Sequence, residues 1–182
     1  MIRSLLYLHG LDSQPLHLKV RALEAFGAVT APQLDYRRPG FYEQQLAPLA
    51  PLQFDAYVGS SMGGWLALQL ALAAQVPALL FNPALVQRSH EPDLEGIPAA
   101  DPQAQRAPLY VLFGEQDDVI PWTSSHQKLV EEVDQEQLHV RRLPGLGHRI
   151  PPRIFEEAVA WFMESAFGER PTGARLPSDD PA

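Results

Sequence analysis

A serine, an aspartate and a histidine in this sequence have the residue types that acyl transfer requires. Ser61 lies at the centre of a G-x-S-x-G pattern over residues 59–63, with a short apolar run before it and a long one after it. This pattern is typical of a serine on a sharp turn from a strand into a helix, where Gly59 and Gly63 keep the two elements from colliding. A serine hydroxyl is a weak nucleophile until a base takes its proton, so the pattern requires partners elsewhere in the chain.

Candidate partners follow Ser61 in chain order. Asp117 and Asp118 come just after a predicted strand, and His148 follows the next predicted strand through Gly147. Serine, acid and histidine occur in this order in the triads of parallel α/β sheets. The other five of the six histidines lie in the first loop, in predicted helices, inside a strand or in a polar loop, so His148 is the favoured base. Both aspartates stay open as the acid on position alone.

The elements that must position these residues alternate between strands and helices. Short apolar runs predict strands over 3–8, 28–34, 54–58, 78–81 and 108–113, and the stretch that ends at Pro144-Gly145 predicts a sixth strand over 138–143. Helical spacing predicts helices over 15–26, 41–49, 62–75, 123–133 and 152–167. This alternation indicates an α/β fold of about six mainly parallel strands flanked by helices, and Pro32 favours an edge position for the second strand. The carboxyl ends of parallel strands share one edge, so Ser61, the acid and His148 are expected to meet there.

The chain is predicted to form one domain over residues 1–167. Residues 168–182 are rich in proline, glycine and aspartate and are expected to be a disordered tail. Residues 85–107 are polar and too few for an apolar lid, so no large cap domain is expected and the site should be open.

Composition narrows the function classes. The 182 residues carry a net charge of −8, and no basic run exceeds two residues, which argues against nucleic acid or an anionic membrane as partner. The absence of cysteine excludes disulfides and thiolate metal sites. No signal segment or run of about twenty apolar residues is present. We therefore expect a soluble, cytoplasmic protein that acts on a small molecule, and composition predicts no oligomeric state.

Four stretches resemble the α/β-hydrolase superfamily across residues 2–166. They are Tyr7-Leu8-His9-Gly10, the pattern over residues 59–63, Gly114-x-x-Asp117-x-Val119-Ile120-Pro121, and Gly147-His148. The short chain, the opening over residues 7–13, Ser60-Ser61-Met62-Gly63-Gly64 and Asn82-Pro83-Ala84 are more narrowly similar to the YqiA-like (UPF0227) predicted esterases.

This resemblance implies a compact α/β-hydrolase fold and a role for each site residue. Ser61 would be the nucleophile, His148 the base, and Asp117, three residues after a glycine, the acid. The backbone N–H groups of Met62 and Leu11 would form the oxyanion hole. The supporting turns would be made by His9, Gly10, Gly59 and Gly63. No metal and no cofactor is implied.

The leading hypothesis is a serine hydrolase that cleaves a small carboxylic ester or thioester through an acyl-enzyme. A peptidase, a lactonase or a C–C hydrolase of the same fold is an alternative, because the triad is common to all of them. A non-catalytic binding module on a hydrolase scaffold is a further alternative. Four residues near predicted strand ends are candidates for the substrate pocket: Asp12, Tyr36, Asn82 and Trp122.

Overall fold

Six parallel strands form a single sheet in a computed structural model that describes residues 2–169. The strands are β1 (Arg3–Leu8), β2 (Gly27–Thr30), β3 (Ala56–Ser60), β4 (Ala78–Phe81), β5 (Leu109–Gly114) and β6 (Leu138–Leu143). Their order is β2-β1-β3-β4-β5-β6, and every neighbouring pair is parallel. The predicted fold class is therefore confirmed, and the carboxyl ends of all six strands lie at one edge of the sheet.

Four α-helices cover the two faces of this sheet. They are α1 (His17–Glu24), α2 (Met62–Ala74), α3 (Trp122–Glu132) and α4 (Pro152–Phe167). Leu23 of α1 and Phe155 of α4 pack on one face, while Leu66 of α2 and Leu129 of α3 pack on the other. The central strands are buried on both faces, since every residue of β4 and β5 is buried, which explains why they read as continuous apolar runs.

Pro32 and Pro48 limit the regular structure around them, because a proline has no N–H to donate to a backbone hydrogen bond. β2 ends at Thr30, ahead of Pro32, and lies at an edge of the sheet as predicted. The helix predicted over 41–49 does not form as one α-helix. A wide helical turn, Tyr42–Leu46, passes into a 3-10 turn, Ala47–Leu49, because Pro48 has no N–H to continue the helical ladder.

The polar segment over residues 85–107 lies across the surface without forming a cap. Leu94, Ile97 and Ala100 pack against the same apolar cluster as α2, and its one regular element is a short 3-10 turn, Pro102–Ala104. No large cap domain occurs within residues 2–169.

Two further expectations concern the C-terminal tail and membrane-spanning helices. The tail predicted over 168–182 lies outside the described residues from 170 onward, and Glu169 accepts a 3.0 Å hydrogen bond from Arg3. Among the helices of residues 2–169, none has the length and apolar character needed to cross a membrane.

Candidate active site

Ser61 is the single residue between β3 and α2. Its backbone adopts φ 55° and ψ −117°, a conformation that side-chain-bearing residues rarely adopt and that costs about 1–3 kcal/mol. Three backbone hydrogen bonds hold it there. Its N–H donates to Phe81 O at 2.8 Å, and its carbonyl accepts from the N–H groups of Trp65 and Ala84, both at 3.1 Å. The strand-to-helix turn predicted from the pattern around Ser61 is therefore present.

Gly59 and Gly63 are required by close backbone contact rather than by unusual φ values. A Cβ on Gly59 would overlap the carbonyl oxygen of Gly63, and a Cβ on Gly63 would overlap the carbonyl oxygens of Leu8 and His9. Their missing side chains let α2 approach β1 and β3 closely enough to carry Ser61 at the sheet edge.

His148 joins Ser61 to Asp117 through its two ring nitrogens. Nε2 lies 3.1 Å from Ser61 Oγ, and Nδ1 lies 2.8 Å from Asp117 Oδ2. An ionised carboxylate can only accept, so Nδ1 carries the proton and the Nε2 lone pair faces the serine hydroxyl. This is the protonation pattern that lets a histidine act as a general base toward a serine.

The second oxygen of Asp117 is held by the backbone that follows it. Asp117 Oδ1 accepts hydrogen bonds from the N–H groups of Val119 at 2.9 Å and Ile120 at 2.8 Å. The Asp117 side chain has 0% exposure, so its carboxylate is fixed and shielded from water. Asp118 is exposed and does not contact His148. Of the two candidate acids, the structure brings Asp117 to His148.

His9 locks the loop after β1, which carries the predicted oxyanion donor. Its Nδ1 donates to Gly10 O at 2.8 Å, and its Nε2 accepts from the N–H of Leu34 at 2.9 Å. Burial lowers the pKa of His9, which favours the neutral ring that this donor and acceptor pair requires. Tyr36 adds a 2.6 Å hydrogen bond from its hydroxyl to His9 O.

The two predicted oxyanion donors lie beside Ser61. Leu11 and Met62 both line the groove that contains Ser61 and His148. Within residues 2–169 neither backbone N–H donates to another protein group, so both can donate to a ligand. This loop lies directly against Ser61, since a Cβ on Gly10 would sit 3.4 Å from Ser61 Cβ, at the short end of ordinary contact.

Asn82 does not line the groove, where it was expected, but supports the site from beneath. It is 2% exposed. Its Nδ2 donates to the carbonyls of Gly147 at 3.1 Å and His148 at 3.0 Å, and its Oδ1 accepts from the N–H of Gly114 at 2.8 Å. Asn82 therefore links the ends of β4 and β5 to the loop that carries His148.

Two of the other pocket candidates lie away from the groove. Tyr36 is 1% exposed and stacks on Phe41 with ring centroids 5.3 Å apart, so it is a core residue that positions His9. Trp122 packs against Phe113 on the α3 side of the sheet. A large aromatic near a strand end gains more by burial in the core than by lining an open site, which explains both corrections. Asp12 does line the groove, where it pairs with Arg37.

The groove has a volume of about 870 Å³ and contains cations that sequence reasoning missed. Lys19, Arg88 and Arg149 line it. Arg149 directly follows His148, and Lys19 stands four residues before the buried Leu23, on the inward face of α1. A lysine at helical spacing on an apolar face was the available signal. No cluster of three or more potential metal-ligating side chains occurs within residues 2–169.

Comparison with known proteins places the chain in a family. The sequence model of an uncharacterised protein family, UPF0227, matches residues 4–97. No curated protein matches the sequence.

Solved structures similar to this chain share its fold at low identity. An α/β-superfamily protein from Xanthomonas campestris pv. campestris is 20% identical with a TM-score of 0.64, and the match covers 90% of this chain and 99% of that one. A monoacylglycerol lipase from Paleococcus ferrophilus is 14% identical with a TM-score of 0.66, over 90% and 94% of the two chains. The esterase domain of a Rhodothermus marinus protein is 16% identical with a TM-score of 0.64, over 90% and 86%. These similarities establish the α/β-hydrolase fold.

Proposed function

Because the chain belongs to the uncharacterised protein family UPF0227 and has the α/β-hydrolase fold, we propose that it is a serine hydrolase that cleaves a small carboxylic ester or thioester. The observation that carries this proposal is the continuous hydrogen-bonded path from Ser61 through His148 to Asp117, with distances of 3.1 and 2.8 Å. Esterase and lipase neighbours with the same fold support it by analogy.

In the acylation step, Ser61 Oγ attacks the substrate carbonyl carbon while His148 Nε2 takes the hydroxyl proton. The carbonyl oxygen becomes negatively charged and accepts hydrogen bonds from the N–H groups of Leu11 and Met62. Collapse of this intermediate breaks the bond to the leaving oxygen or sulfur, which receives the proton from His148. Ser61 is left as an acyl ester.

In the deacylation step, water attacks the acyl ester and gives a proton to His148 Nε2. A second tetrahedral intermediate collapses to release the carboxylic acid, and the proton returns to Ser61 Oγ. Asp117 accepts from Nδ1 throughout, which keeps the ring in one tautomer and stabilises its charged form. No step requires a group from outside the chain other than substrate and water.

The groove, rather than the triad, determines which substrates the site can accept. Peptidases, lactonases and C–C hydrolases can use the same three residues, but the groove is open and the segment over 85–107 forms no apolar lid. The residues of this segment that line the groove, Gln87, Arg88 and Ser89, are polar, which supports small esters or thioesters over long acyl chains. Comparing kcat/KM across acetyl and butyryl esters, thioesters, a lactone and an aminoacyl amide ranks these reaction classes.

The test of the proposed function compares two adjacent serines. Ser61→Ala removes the nucleophile, so we expect loss of p-nitrophenyl acetate hydrolysis and of covalent labelling by a fluorophosphonate probe. Ser60→Ala is the matched control and should retain labelling, because the hydrogen bond of His148 Nε2 is made to Ser61 and not to Ser60. Undiminished labelling of Ser61→Ala, or a folded wild-type protein that the probe never labels, would contradict the proposal and favour a non-catalytic binding module.

A further inference from the structure

Lys19 is a buried cation in the wall of the proposed active-site groove. Lys19 is only 8% exposed as a residue, yet it lines the same groove as Ser61 and His148. Its Nζ lies 5.2 Å from the centroid of the Phe155 ring. Within residues 2–169, no carboxylate pairs with it and no group accepts a hydrogen bond from it. Among the described residues, the ammonium group therefore has a cation–π contact with Phe155 but no carboxylate partner and no hydrogen-bond acceptor.

Keeping a charge in such a place opposes folding. Removing an ammonium from water without a carboxylate or a hydrogen-bond acceptor is costly, and buried lysines are normally paired for this reason. The Phe155 ring offsets only part of this cost. Burial lowers the pKa of Lys19 to about 8, which leaves the side chain mainly protonated at neutral pH. A role in binding an anionic ligand would explain why a charge that destabilises the free protein is present.

The other charged groups of the groove leave its positive charge uncompensated. Asp12 is paired with Arg37, and Arg88 is paired with Glu91. Arg149 is exposed and has no acidic partner among the described residues. The chain as a whole carries a net charge of −8, so this groove is a local positive site on a negative protein. Such a site attracts and orients an anionic ligand.

Tyr7 lines the same groove as Lys19 and supplies a second hydrogen-bond donor there. Its ring contacts Phe155 edge to face, with centroids 5.7 Å apart, on the same side of the sheet as Lys19. Burial raises the pKa of Tyr7 to about 12, so its hydroxyl keeps its proton at neutral pH. Phe155 also stacks on Phe81 at 4.6 Å, and the carbonyl of Phe81 accepts from the N–H of Ser61. One packed aromatic cluster therefore joins this cationic subsite to the nucleophile.

We propose that the substrate carries an anionic group, a carboxylate or a phosphate, that binds Lys19 Nζ while the scissile carbonyl lies at Ser61. This inference rests on the proposed hydrolase function and names the class of ester that the site selects. The Tyr7 hydroxyl donates to the same anion, and Arg149 adds long-range attraction at the rim. Neutral esters of the same length lack this contact and are poorer substrates.

The test compares an anionic and a neutral ester of similar length. We expect wild-type kcat/KM to be higher for the p-nitrophenyl half ester of glutaric acid than for p-nitrophenyl pentanoate. Lys19→Met should reduce kcat/KM for the half ester by about tenfold or more, the range for a lost hydrogen bond to a charged group, and change the pentanoate value by less than about twofold. Lys19→Arg keeps the charge and should preserve most of the preference.

The chain offers a matched control, since its other lysine, Lys128, is paired with Glu132 and lies outside the groove. Lys128→Met should leave both kcat/KM values unchanged. Protection of Ser61 from fluorophosphonate labelling, by glutarate or by inorganic phosphate, distinguishes a carboxylate subsite from a phosphate subsite. This protection should be present in the wild type and absent in Lys19→Met.

The outcomes separate this inference from the proposed function. If the wild type hydrolyses both esters, the anion-to-neutral ratio is the same in Lys19→Met, and neither anion protects Ser61, the subsite is wrong and the hydrolase stands. If the probe labels neither the wild type nor any variant, the hydrolase itself is wrong. Because Met fills the place of a buried charge, Lys19→Met should fold, and its melting curve verifies this before the kinetics are compared.

Discussion

Asn82 holds two consecutive backbone carbonyls, those of Gly147 and His148. Its amide nitrogen donates to the carbonyls of Gly147 and His148, at 3.1 and 3.0 Å, while its amide oxygen accepts from the N–H of Gly114 at 2.8 Å. Asn82 has φ 41°, in the left-handed region that asparagine tolerates better than most residues. The position of the His148 ring over Ser61 therefore depends on a side chain that we do not expect to touch the substrate.

Replacing Asn82 tests this positioning role. Asn82→Asp keeps the oxygen that accepts from Gly114 but turns the other oxygen toward two carbonyls, which repel it. We expect kcat to fall by about tenfold or more and the free energy of unfolding to fall by roughly 1–3 kcal/mol, as for a buried unsatisfied group. KM should change little, because Asn82 is not expected to contact the substrate.

Gln45→Glu is the matched amide-to-acid control for Asn82→Asp. Gln45 is half-buried and bridges the backbone N–H and C=O of the exposed Asp35. Gln45→Glu should leave kcat unchanged. A wild-type kcat in Asn82→Asp would exclude the positioning role of Asn82.

Asp117 and Asp118 are adjacent but should differ sharply in their effect on catalysis. Asp117→Asn places an amide against His148 Nδ1, which favours the wrong tautomer, and should reduce kcat by about 10³–10⁴-fold. Asp118→Asn changes an exposed side chain and should leave kcat within about twofold. Steady-state kinetics on p-nitrophenyl acetate measures both variants. Equal losses in the two variants would show that the acid had been assigned to the wrong residue.

Gly63 and Gly147 offer a test of close backbone contact. A Cβ on Gly63 would overlap the carbonyl oxygens of Leu8 and His9, so Gly63→Ala must displace α2 from β1 and should lower the free energy of unfolding by more than 2 kcal/mol. A Cβ on Gly147 would meet a single atom, the Gln116 oxygen, at an ordinary 3.6 Å. Gly147→Ala should therefore unfold close to the wild-type urea midpoint. A stable Gly63→Ala would contradict the packing described for α2.

Lys19 should make the stability of the protein depend on pH in one direction. Its pKa is about 8 when folded and near 10.5 when unfolded, so between these values the unfolded chain binds more protons. The penalty is complete below pH 8 and disappears as the pH rises toward 10.5. Lys19→Met should accordingly be more stable than wild type at pH 7, by up to roughly 3 kcal/mol, and the difference should narrow by pH 9.5.

Urea unfolding of both proteins at the two pH values measures this difference. Lys128→Met removes an exposed lysine and serves as the control, with a small effect at either pH. A Lys19→Met protein that is less stable than wild type at pH 7 would mean that the ammonium group is already satisfied in the free protein.

Local sequence determined the sheet and the turn at Ser61. β1, β4, β6 and α4 have the predicted bounds. Turn residues mark where β1, β4 and β6 end, and the helical spacing of apolar residues marks α4. The α-helix predicted over 41–49 was wrong, since a wide helical turn and a 3-10 turn occupy residues 42–49. The apolar spacing there still reads as helical, although Pro48 interrupts the backbone hydrogen bonds.

What sequence alone determined was which residues stand at the carboxyl ends of the strands. The parallel direction of the strands brings Ser61 and His148 to one edge, and it follows from the alternation of strands and helices. The strand order β2-β1-β3-β4-β5-β6 came from the tertiary structure. Only the tertiary structure decided between Asp117 and Asp118, because adjacent side chains point in different directions and just one reaches His148. It also directed Tyr36 into the core and Lys19 into the groove. Side-chain direction and burial depend on contacts between residues distant in the chain, and no local pattern encodes them.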